Sequence, residues 1–279
     1  MIRFLLRLFY YSVYDFLKII INLNKRYNYI VITPRLLSLL IKRVIIFDKY
    51  KYKIFIQKIR NYNDILTVYE VFSEEHYNLK KYMIFKNISE FFEKKNDKKK
   101  PLIVDCGSNI GSSSLYFSKL FKNSLIALIE PDKGNFEFSK KNITGDNFYF
   151  FNNAISNKRQ TIGFESNKWD NRASQINPYS ENKIECLTVE DVLSKINSLY
   201  CFPFLIKIDI EGYEKNLFIN NYKWIDQFKI IIIELHDWML PLEANSYNYL
   251  KALTNTMGDY RKRDLILSGE NLISIRIDE

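Results

Sequence analysis

Two apolar runs in the second half of the chain end in residues that can move a proton or bind a cation. The run "LIKIDIEGYE" carries Asp209 and Glu211, and the run "IIIIELHD" carries Glu234, His236 and Asp237. Carboxylates and imidazoles accept protons from hydroxyl groups when they are held beside them. These residues therefore predict an acid–base site where the two runs end.

The roles within this group stay open between two mechanisms. In the first, Asp209 or His236 is the general base, with His236 favoured because its ordinary pKa is close to neutral. Glu211 is the third catalytic candidate. In the second, Asp209, Glu234 and Asp237 bind a divalent ion such as magnesium, which prefers oxygen ligands and lowers the pKa of a chelated hydroxyl.

A second group of candidate residues lies in a loop that follows another apolar run, "IVDCGSNIGSSS". Asp105 stands near the end of the run, and Gly107, Asn109 and Gly111 follow at alternate positions. A nicotinamide or flavin site has the spacing GxGxxG, and a P-loop has Gly-Lys followed by Ser or Thr. The loop has neither pattern, so a phosphate-bearing cofactor is disfavoured.

S-adenosylmethionine makes demands that this loop can meet. It carries positive charge and no phosphate, so Asp105 at a strand end would attract it. Gly107 and Gly111 would let the backbone approach it closely, and Asn109 offers both donor and acceptor atoms. Glu130 in "ALIEPD", about twenty residues further on, would accept hydrogen bonds from the ribose hydroxyls. We predict S-adenosylmethionine as the cofactor.

Strand-like and helix-like segments alternate from residue 101 onward, and this order must position both groups. The strands "LIVDC", "SLIALIE", "NFYFFNNAI", "FLIKIDI" and "FKIIIIELH" are separated by helical patterns such as "SSSLYFSKLF" and "TVEDVLSKI". Such alternation predicts an α/β fold, a doubly wound, mostly parallel sheet with helices on both faces. Ligands bind such sheets at the carboxyl ends of the strands, where both groups lie. A polar insert, residues 156–185, is expected to shape substrate choice.

The N-terminal segment differs from the rest of the chain in its charge. Residues 1–60 hold 13 basic and 2 acidic side chains, a balance of +11, whereas residues 61–279 hold 28 basic and 30 acidic ones. Because the basicity is confined to one segment, nucleic-acid binding by the whole surface is not supported. We predict two domains, a basic amphipathic helical extension over 1–60 and a catalytic domain over 61–279.

Apolar residues dominate the first thirty positions, but charged ones recur on one side. On a helix, Arg3, Arg7, Asp15 and Lys18 fall within one sector. Charges interrupt the run too often for a membrane-spanning helix, and no small-residue cleavage site marks a secretory signal. We expect an interfacial helix in peripheral contact with a membrane, the alternative being a helix packed on the main domain or a second subunit. The three scattered cysteines fit a reducing compartment, so we expect a cytoplasmic protein, peripheral on the inner face of the membrane.

Five segments, taken in order, resemble the FkbM family of S-adenosylmethionine-dependent O-methyltransferases. They are "VDCGSNIGSSS", "IEPD", "FNNAIS", "LIKIDIEGYE" and "IIIIELH", and the similarity runs from Tyr69 to His236. Its most specific part is "KIDIEGYE" followed by a strand closing in "ELH". The resemblance implies a class I methyltransferase fold and methyl transfer to a hydroxyl, typically of a sugar, a glycan or a macrolide.

The resemblance also implies a set of residues around the cofactor. Glu130 would hold the ribose, and Asn153 with Ala154 would lie beside the adenine. Ser108 stands where family members often carry a smaller residue such as alanine. The residues expected to line the cofactor are Asp105, Gly107, Ser108, Asn109, Gly111, Glu130, Asn153 and Ala154.

Taken together, the sequence predicts an O-methyltransferase acting on a carbohydrate or glycolipid acceptor. One alternative is a non-catalytic module of the same fold that binds a partner or a glycan. Asp105, Glu130, Asp209 and His236 favour an enzyme, because a binding module has no chemical need for them. A second alternative, a nicotinamide-dependent sugar oxidoreductase, is disfavoured by the loop spacing.

Overall fold

The chain divides into two compact units, Met1–Asn78 and Leu79–Glu279. The computed structural model describes residues 10–11, 13–17, 19, 28–96, 98–167, 172, 175–177, 179–196, 200–256 and 262–277. The predicted division between residues 60 and 61 falls inside the first of these units. Among the described residues, no helix is both long enough and apolar enough to cross a membrane.

The first unit combines helices with a small antiparallel sheet. Residues 10–11, 13–17 and 19 are helical. The elements that follow are β1 (Tyr29–Val31), α1 (Arg35–Ile41), β2 (Arg43–Asp48), β3 (Lys53–Lys58) and α2 (Tyr62–Phe72). The sheet has the order β1-β2-β3 with antiparallel pairing throughout. The prediction of a purely helical extension over 1–60 is therefore wrong for its second half.

Local side-chain chemistry explains two of these elements. At the β2–β3 turn, the Asp48 carboxylate accepts from the backbone N–H groups of Tyr50 and Lys51, which closes the hairpin. Asn61 caps α2 by accepting from Asp64 N at 3.0 Å. The apolar run "ILTVYEVF" is compatible with either a strand or a helix. The Asn61 cap favours the helix that the structure has.

The second unit alternates strands and helices as the sequence predicts. Its elements are α3 (Phe85–Asn96), β4 (Lys100–Cys106), α4 (Ser112–Leu120), β5 (Leu125–Ile129), α5 (Lys133–Asn142), β6 (Phe148–Phe151), β7 (Ala154–Ile155), β8 (Gln160–Glu165), β9 (Gln175–Ile176), β10 (Lys183–Leu187), α6 (Val189–Lys195), β11 (Cys201–Ile208), α7 (Glu214–Leu217), β12 (Ile230–Glu234), α8 (Asn245–Thr256), β13 (Arg263–Ser268) and β14 (Asn271–Arg276). Short 3₁₀ turns cover Leu79–Lys81, Lys223–Gln227 and His236–Trp238.

Seven strands form the main sheet in the order β13-β14-β12-β11-β4-β5-β6. The five from β12 to β6 are parallel, and β14 is antiparallel to both neighbours. Residues 230–233 of β12 are all fully buried, so both faces of the sheet are covered. The doubly wound α/β prediction is confirmed. The polar insert contributes to a separate four-stranded sheet of order β7-β10-β8-β9.

Candidate active site

The glycines of the loop after β4 make room for the protein's own atoms. Gly107 has φ +76°, and a Cβ there would lie 1.8 Å from the carbonyl oxygen of Asp209. Gly111 has φ +86°, and its Cβ would lie 2.5 Å from Ile143 Cδ1. Both glycines are thus required by packing: Gly107 lies against the backbone that follows β11, and Gly111 lies against Ile143. The prediction that they also let a ligand approach the backbone stays a prediction.

Asp105 lies fully buried beneath this loop. Its Oδ2 accepts hydrogen bonds from the hydroxyls of Ser113 and Ser114, each at 2.6 Å. Lys207 Nζ lies 3.4 Å from Oδ1. The carboxylate thus holds the first turn of α4 and lies beside a lysine, while its Oδ1 has no hydrogen-bond partner among the described residues. Its predicted role at the cofactor stays a prediction.

Lys207 links the two groups that the sequence singled out separately. Its ammonium donates to the carbonyl of Gly107 at 3.0 Å and lies 3.2 Å from Asp209 Oδ2. The side chain is almost fully buried between Asp105 and Asp209. Sequence reasoning missed this residue, although a lone lysine inside the apolar strand "FLIKIDI" was a visible signal.

Glu130 directly follows β5, and its carboxylate binds a backbone N–H group of the glycine loop. Its Oε2 accepts from Asn109 N at 2.7 Å, and its Oε1 accepts from Asp132 N at 3.0 Å. Burial raises the pKa of Glu130 to about 7, against the lowering effect of these two backbone hydrogen bonds. The carboxyl therefore changes charge close to neutral pH.

Two buried polar atoms of the loop have no hydrogen-bond partner within the part of the chain that the structure describes. They are Ser108 Oγ and Asn109 Oδ1. Buried polar atoms are normally satisfied, so these two are free to bind a polar ligand. Together with the acceptor Glu130, they fit a cofactor that carries hydroxyl and amino groups.

Asn153 and Ala154 follow β6 at the same edge of the sheet. Ala154 is buried in β7 and pairs with Cys186 of β10. The amide of Asn153 donates to the carbonyl of Glu185 at 3.1 Å. Both residues thus join the main sheet to the four-stranded sheet of β7, β10, β8 and β9.

His236 is buried at the end of β12 and is surrounded by carboxylates. Its Nδ1 lies 3.0 Å from Glu214 Oε1. Its Nε2 lies 3.5 Å from Glu234 Oε1, 3.7 Å from Asp209 Oδ1 and 3.8 Å from Glu211 Oε2. The structure therefore brings the predicted catalytic residues Asp209, Glu211 and His236 into one cluster.

Glu214 orients this histidine and was missed as a site residue. It is fully buried, and besides His236 it accepts from the backbone of Ile210 at 3.1 Å and from Asn245 Nδ2 at 2.7 Å. Three bonds to groups from separate segments fix the position of its carboxylate and, through Nδ1, the plane of the imidazole.

The charges of the cluster decide the protonation of His236. Burial alone would lower its pKa, but the hydrogen bond to Glu214 and the charges of Asp209 and Glu234 raise the pKa to about 9. At neutral pH the ring is an imidazolium. The structure thus disfavours the prediction that His236 is the general base, because the charged ring has no lone pair to accept a proton.

Two of the carboxyl groups also titrate far from their usual range. Burial, with the charge of Asp209 next in importance, raises the pKa of Glu211 to about 8. The same two causes raise the pKa of Glu234 to about 7. The cluster therefore holds more acidic groups than it can ionise together at neutral pH.

Asp209, Glu234 and His236 each offer one ligand atom within 4.8 Å of the others, a spacing that could hold a metal ion. Asp237, the third predicted metal ligand, is not in this group. Its carboxylate accepts from the backbone N–H of Ser246 at 3.2 Å near the start of α8. The structure thus groups Asp209 and Glu234 with His236, whereas Asp237 lies outside this group.

The strand order, with five parallel strands and the reversed β14, is that of the Rossmann-like class I methyltransferase fold. The family model of the methyltransferase FkbM domain matches residues 105–262. The chain belongs to the FkbM methyltransferase family, and it is an S-adenosylmethionine-dependent enzyme.

Three of the solved structures that this chain matches are described as methyltransferases. A methyltransferase from Geobacter sulfurreducens is 12% identical over 69% of this chain and 79% of its own, with a TM-score of 0.36. A precorrin-6y C5,15-methyltransferase from Geobacter metallireducens is 10% identical over 69% and 86%, with a TM-score of 0.35. A methyltransferase from Leishmania major is 13% identical over 77% and 76%, with a TM-score of 0.39. Comparison with curated proteins gives no match.

Proposed function

We propose that this enzyme transfers a methyl group from S-adenosylmethionine to a hydroxyl of a sugar, a glycan or a glycolipid. The observation that carries the proposal is the link between the two halves of the site. Lys207 contacts both the glycine loop and Asp209, so the cofactor loop and the acidic cluster lie at one edge of the sheet. Family membership supports the methyl donor, and the carboxylate cluster supports a hydroxyl acceptor.

On the cofactor side, four residues have assigned roles in the proposal. The Glu130 carboxylate accepts from the ribose hydroxyls, while Ser108 Oγ and Asn109 Oδ1 bind polar atoms of the same molecule. Asn153 borders the adenine. Gly107, Gly111, Asp105 and Ala154 act by shaping the loop and the strands behind it. When bound, S-adenosylmethionine supplies a methyl group made electrophilic by its sulfonium centre.

On the acceptor side, Asp209 accepts the proton of the attacking hydroxyl. Its carboxylate is partly exposed and is flanked by Lys207 on one side and His236 on the other. Lys207 and His236 therefore hold this carboxylate in position. Glu211 and Glu234, which are also partly exposed, offer hydrogen-bond partners for neighbouring hydroxyls of a sugar.

Titration calorimetry tests the cofactor assignment. We expect S-adenosylmethionine and S-adenosylhomocysteine to bind the full-length protein and NAD not to bind. The Glu130→Gln variant should bind at least about tenfold more weakly, because an amide replaces a charge-assisted acceptor. Glu137→Gln is the matched control on the exposed side of α5 and should bind as the wild type does. Binding of NAD alone would favour the oxidoreductase alternative.

Turnover tests the acceptor and the base. A panel of free sugars and glycolipids is incubated with the enzyme and labelled methyl donor, and labelled ether products are sought. We expect Asp209→Asn to lower turnover by at least about 100-fold while cofactor binding persists, and Asp237→Asn to be near wild type. Wild-type cofactor binding without any methylated product would favour the non-catalytic module, and full turnover by Asp209→Asn would reject Asp209 as the base.

The magnesium mechanism stays a separate prediction. If Asp209, Glu234 and His236 hold a divalent ion that activates the hydroxyl, chelation with EDTA should abolish turnover and added magnesium should restore it. Turnover that is unchanged by EDTA would leave proton transfer to Asp209 as the mechanism.

A further inference from the structure

The helical residues 10–11, 13–17 and 19, here called the N-terminal helix, expose apolar side chains and bury a charged one. Its acidic residue, Asp15, is buried against the first unit. Its apolar side chains point outward: exposed fractions lie between 48% and 68% for Tyr10, Val13, Tyr14, Phe16 and Leu17. A helix at an aqueous surface places its charged residues outside and its apolar stripe inside.

A buried ion pair fixes this orientation. Asp15 Oδ1 accepts from Arg35 Nη1 at 2.6 Å, and Asp15 Oδ2 accepts from the backbone N–H of Arg35 at 3.0 Å. The Arg35 guanidinium also lies over the rings of Tyr11 and Tyr69, at 5.3 and 4.5 Å from their centroids. Because both charges are removed from water, rotating the helix to bury its apolar side would leave Arg35 without this carboxylate.

The same unit exposes further apolar side chains on other elements. Leu37, Leu40 and Ile41 of α1 are exposed. Ile54 and Ile56 of β3 are exposed on one face of the sheet, paired in register with Phe47 and Ile45 of β2. Several exposed apolar side chains on one small unit are typical of an interaction site.

Positive charge accompanies these apolar side chains. Residues 1–78 hold 13 basic and 6 acidic side chains, a balance of +7. Lys51 and Lys53 next to Ile54, and Lys58 at the end of β3, are exposed. An apolar surface bordered by basic residues complements a bilayer with anionic headgroups. A second copy of the chain would instead bring two surfaces of +7 together.

We propose that the first unit docks the enzyme on the surface of an anionic lipid bilayer, with the N-terminal helix lying in the headgroup region. The exposed aromatic and aliphatic side chains of the helix enter the boundary of the acyl chains. Asp15 and Arg35 face the protein. The docking is independent of the methyl-transfer proposal, since it uses none of the residues of the active site.

Sedimentation with vesicles tests the docking. The full-length protein is mixed with vesicles of phosphatidylcholine alone and with vesicles that also contain phosphatidylglycerol. We expect binding to the anionic vesicles only, weakened by added salt. The double variant Phe16→Ser, Leu17→Ser should lower the partition coefficient by at least about tenfold, because two apolar side chains no longer leave water.

A matched pair of substitutions controls for the loss of exposed apolar side chains. Leu265 and Leu267 of β13 are exposed in the second unit, and Leu265→Ser, Leu267→Ser should leave vesicle binding unchanged. Equal loss in both variants, or binding that ignores phosphatidylglycerol, would overturn the proposal. So would a concentration-dependent dimer in sedimentation velocity that Phe16→Ser, Leu17→Ser abolishes without any vesicle binding, since the helix would then serve a second copy.

Discussion

At the scale of single residues, the surroundings of His236 set its pKa away from the ordinary value of a histidine. A histidine at a strand end is ordinarily a candidate base because its pKa is near neutral. Here Glu214, Asp209 and Glu234 surround the ring and raise that pKa to about 9. The same ring is thereby converted from a proton acceptor into a fixed positive charge beside Asp209.

Nuclear magnetic resonance can measure this directly, since the chain has only two histidines, His76 and His236. The ring protons of His236 should titrate with a pKa of about 9, assigned by comparison with a His76→Gln variant. In Glu214→Gln the pKa should fall toward the ordinary value of about 6.5, because the strongest of the surrounding charges is gone. A pKa near 6.5 in the wild type would return His236 to the role of base.

Gly107 supplies a second prediction at this scale. Its missing side chain leaves room for the carbonyl oxygen of Asp209, and its φ is also positive. Gly107→Ala should cost more than about 3 kcal/mol of unfolding free energy, the sum of a left-handed backbone and a backbone clash. Gly269 has φ +62° with nothing within 4 Å of the added Cβ, so Gly269→Ala should cost only about 1 kcal/mol. Urea unfolding measures the free energy of unfolding of both variants. Equal losses in Gly107→Ala and Gly269→Ala would contradict the packing requirement at Gly107.

At the scale of elements, one buried carboxylate fixes the start of the small sheet. Glu75 accepts from the backbone N–H groups of Asn28 and Tyr29 and from the side chains of Asn28 and Asn78. It is buried and stands just after α2. The strand β1 is thus held by a side chain about 46 positions away in sequence.

Removing this carboxylate should loosen β1. Glu75→Ala leaves several buried donors without an acceptor, and we expect a loss of at least about 3 kcal/mol in unfolding free energy. Hydrogen exchange at Tyr29 should become faster. Glu74→Ala is the matched control, since Glu74 is exposed and pairs with His76 at the surface, and it should change stability by less than about 0.5 kcal/mol. Unchanged exchange at Tyr29 in Glu75→Ala would reject this role.

The elements also show what a sequence can and cannot predict. The helical pattern "TVEDVLSKI" forms α6, and Thr188 and Asp191 form a capping box at its start. Such a cap can be seen in a sequence, because it depends only on residues three apart. The strand β2 was not predicted, since a short apolar run such as "RVIIF" fits helix and strand alike. The run forms a strand because it pairs with β1 and β3. A local sequence pattern does not show these contacts.

The candidate site divides in the same way. Asp209, Glu211, Glu234 and His236 were predicted together because parallel strands end at one edge of a sheet. The contribution of Glu214 was not foreseen, because it depends on a turn that folds its side chain back toward β12. Neither the packing role of the glycines nor the bridge through Lys207 could be read from spacing alone.

At the scale of the whole molecule, stability should depend on pH in an unusual direction. Glu130, Glu211, Glu234 and His236 all have a raised pKa in the folded state. A raised pKa means that the folded protein binds protons more tightly than the unfolded chain, so stability is lost as pH rises. The carboxyl groups act from about pH 4.5 to 8, and His236 acts from about pH 6.5 to 9.

We therefore expect the ligand-free protein to be more stable at pH 6 than at pH 9. The contribution of His236 alone is about 3 kcal/mol, since one pKa unit corresponds to about 1.4 kcal/mol. Urea unfolding at the two pH values and constant salt measures it, and the dependence should shrink in Glu214→Gln. A free energy of unfolding that rises from pH 6 to pH 9 would contradict the raised pKa values of these four groups in the folded state.

The bridge made by Lys207 has a consequence for how the enzyme works through its cycle. One ammonium joins the carbonyl of Gly107 to the carboxylates of Asp105 and Asp209, and the backbone of Gly107 rests on that of Asp209. We expect this bridge to preorganise the site, so that the separation of its two halves is fixed before the substrate binds. Little reorganisation energy is then needed at the moment of methyl transfer, and the acceptor must adapt its pose to a fixed frame.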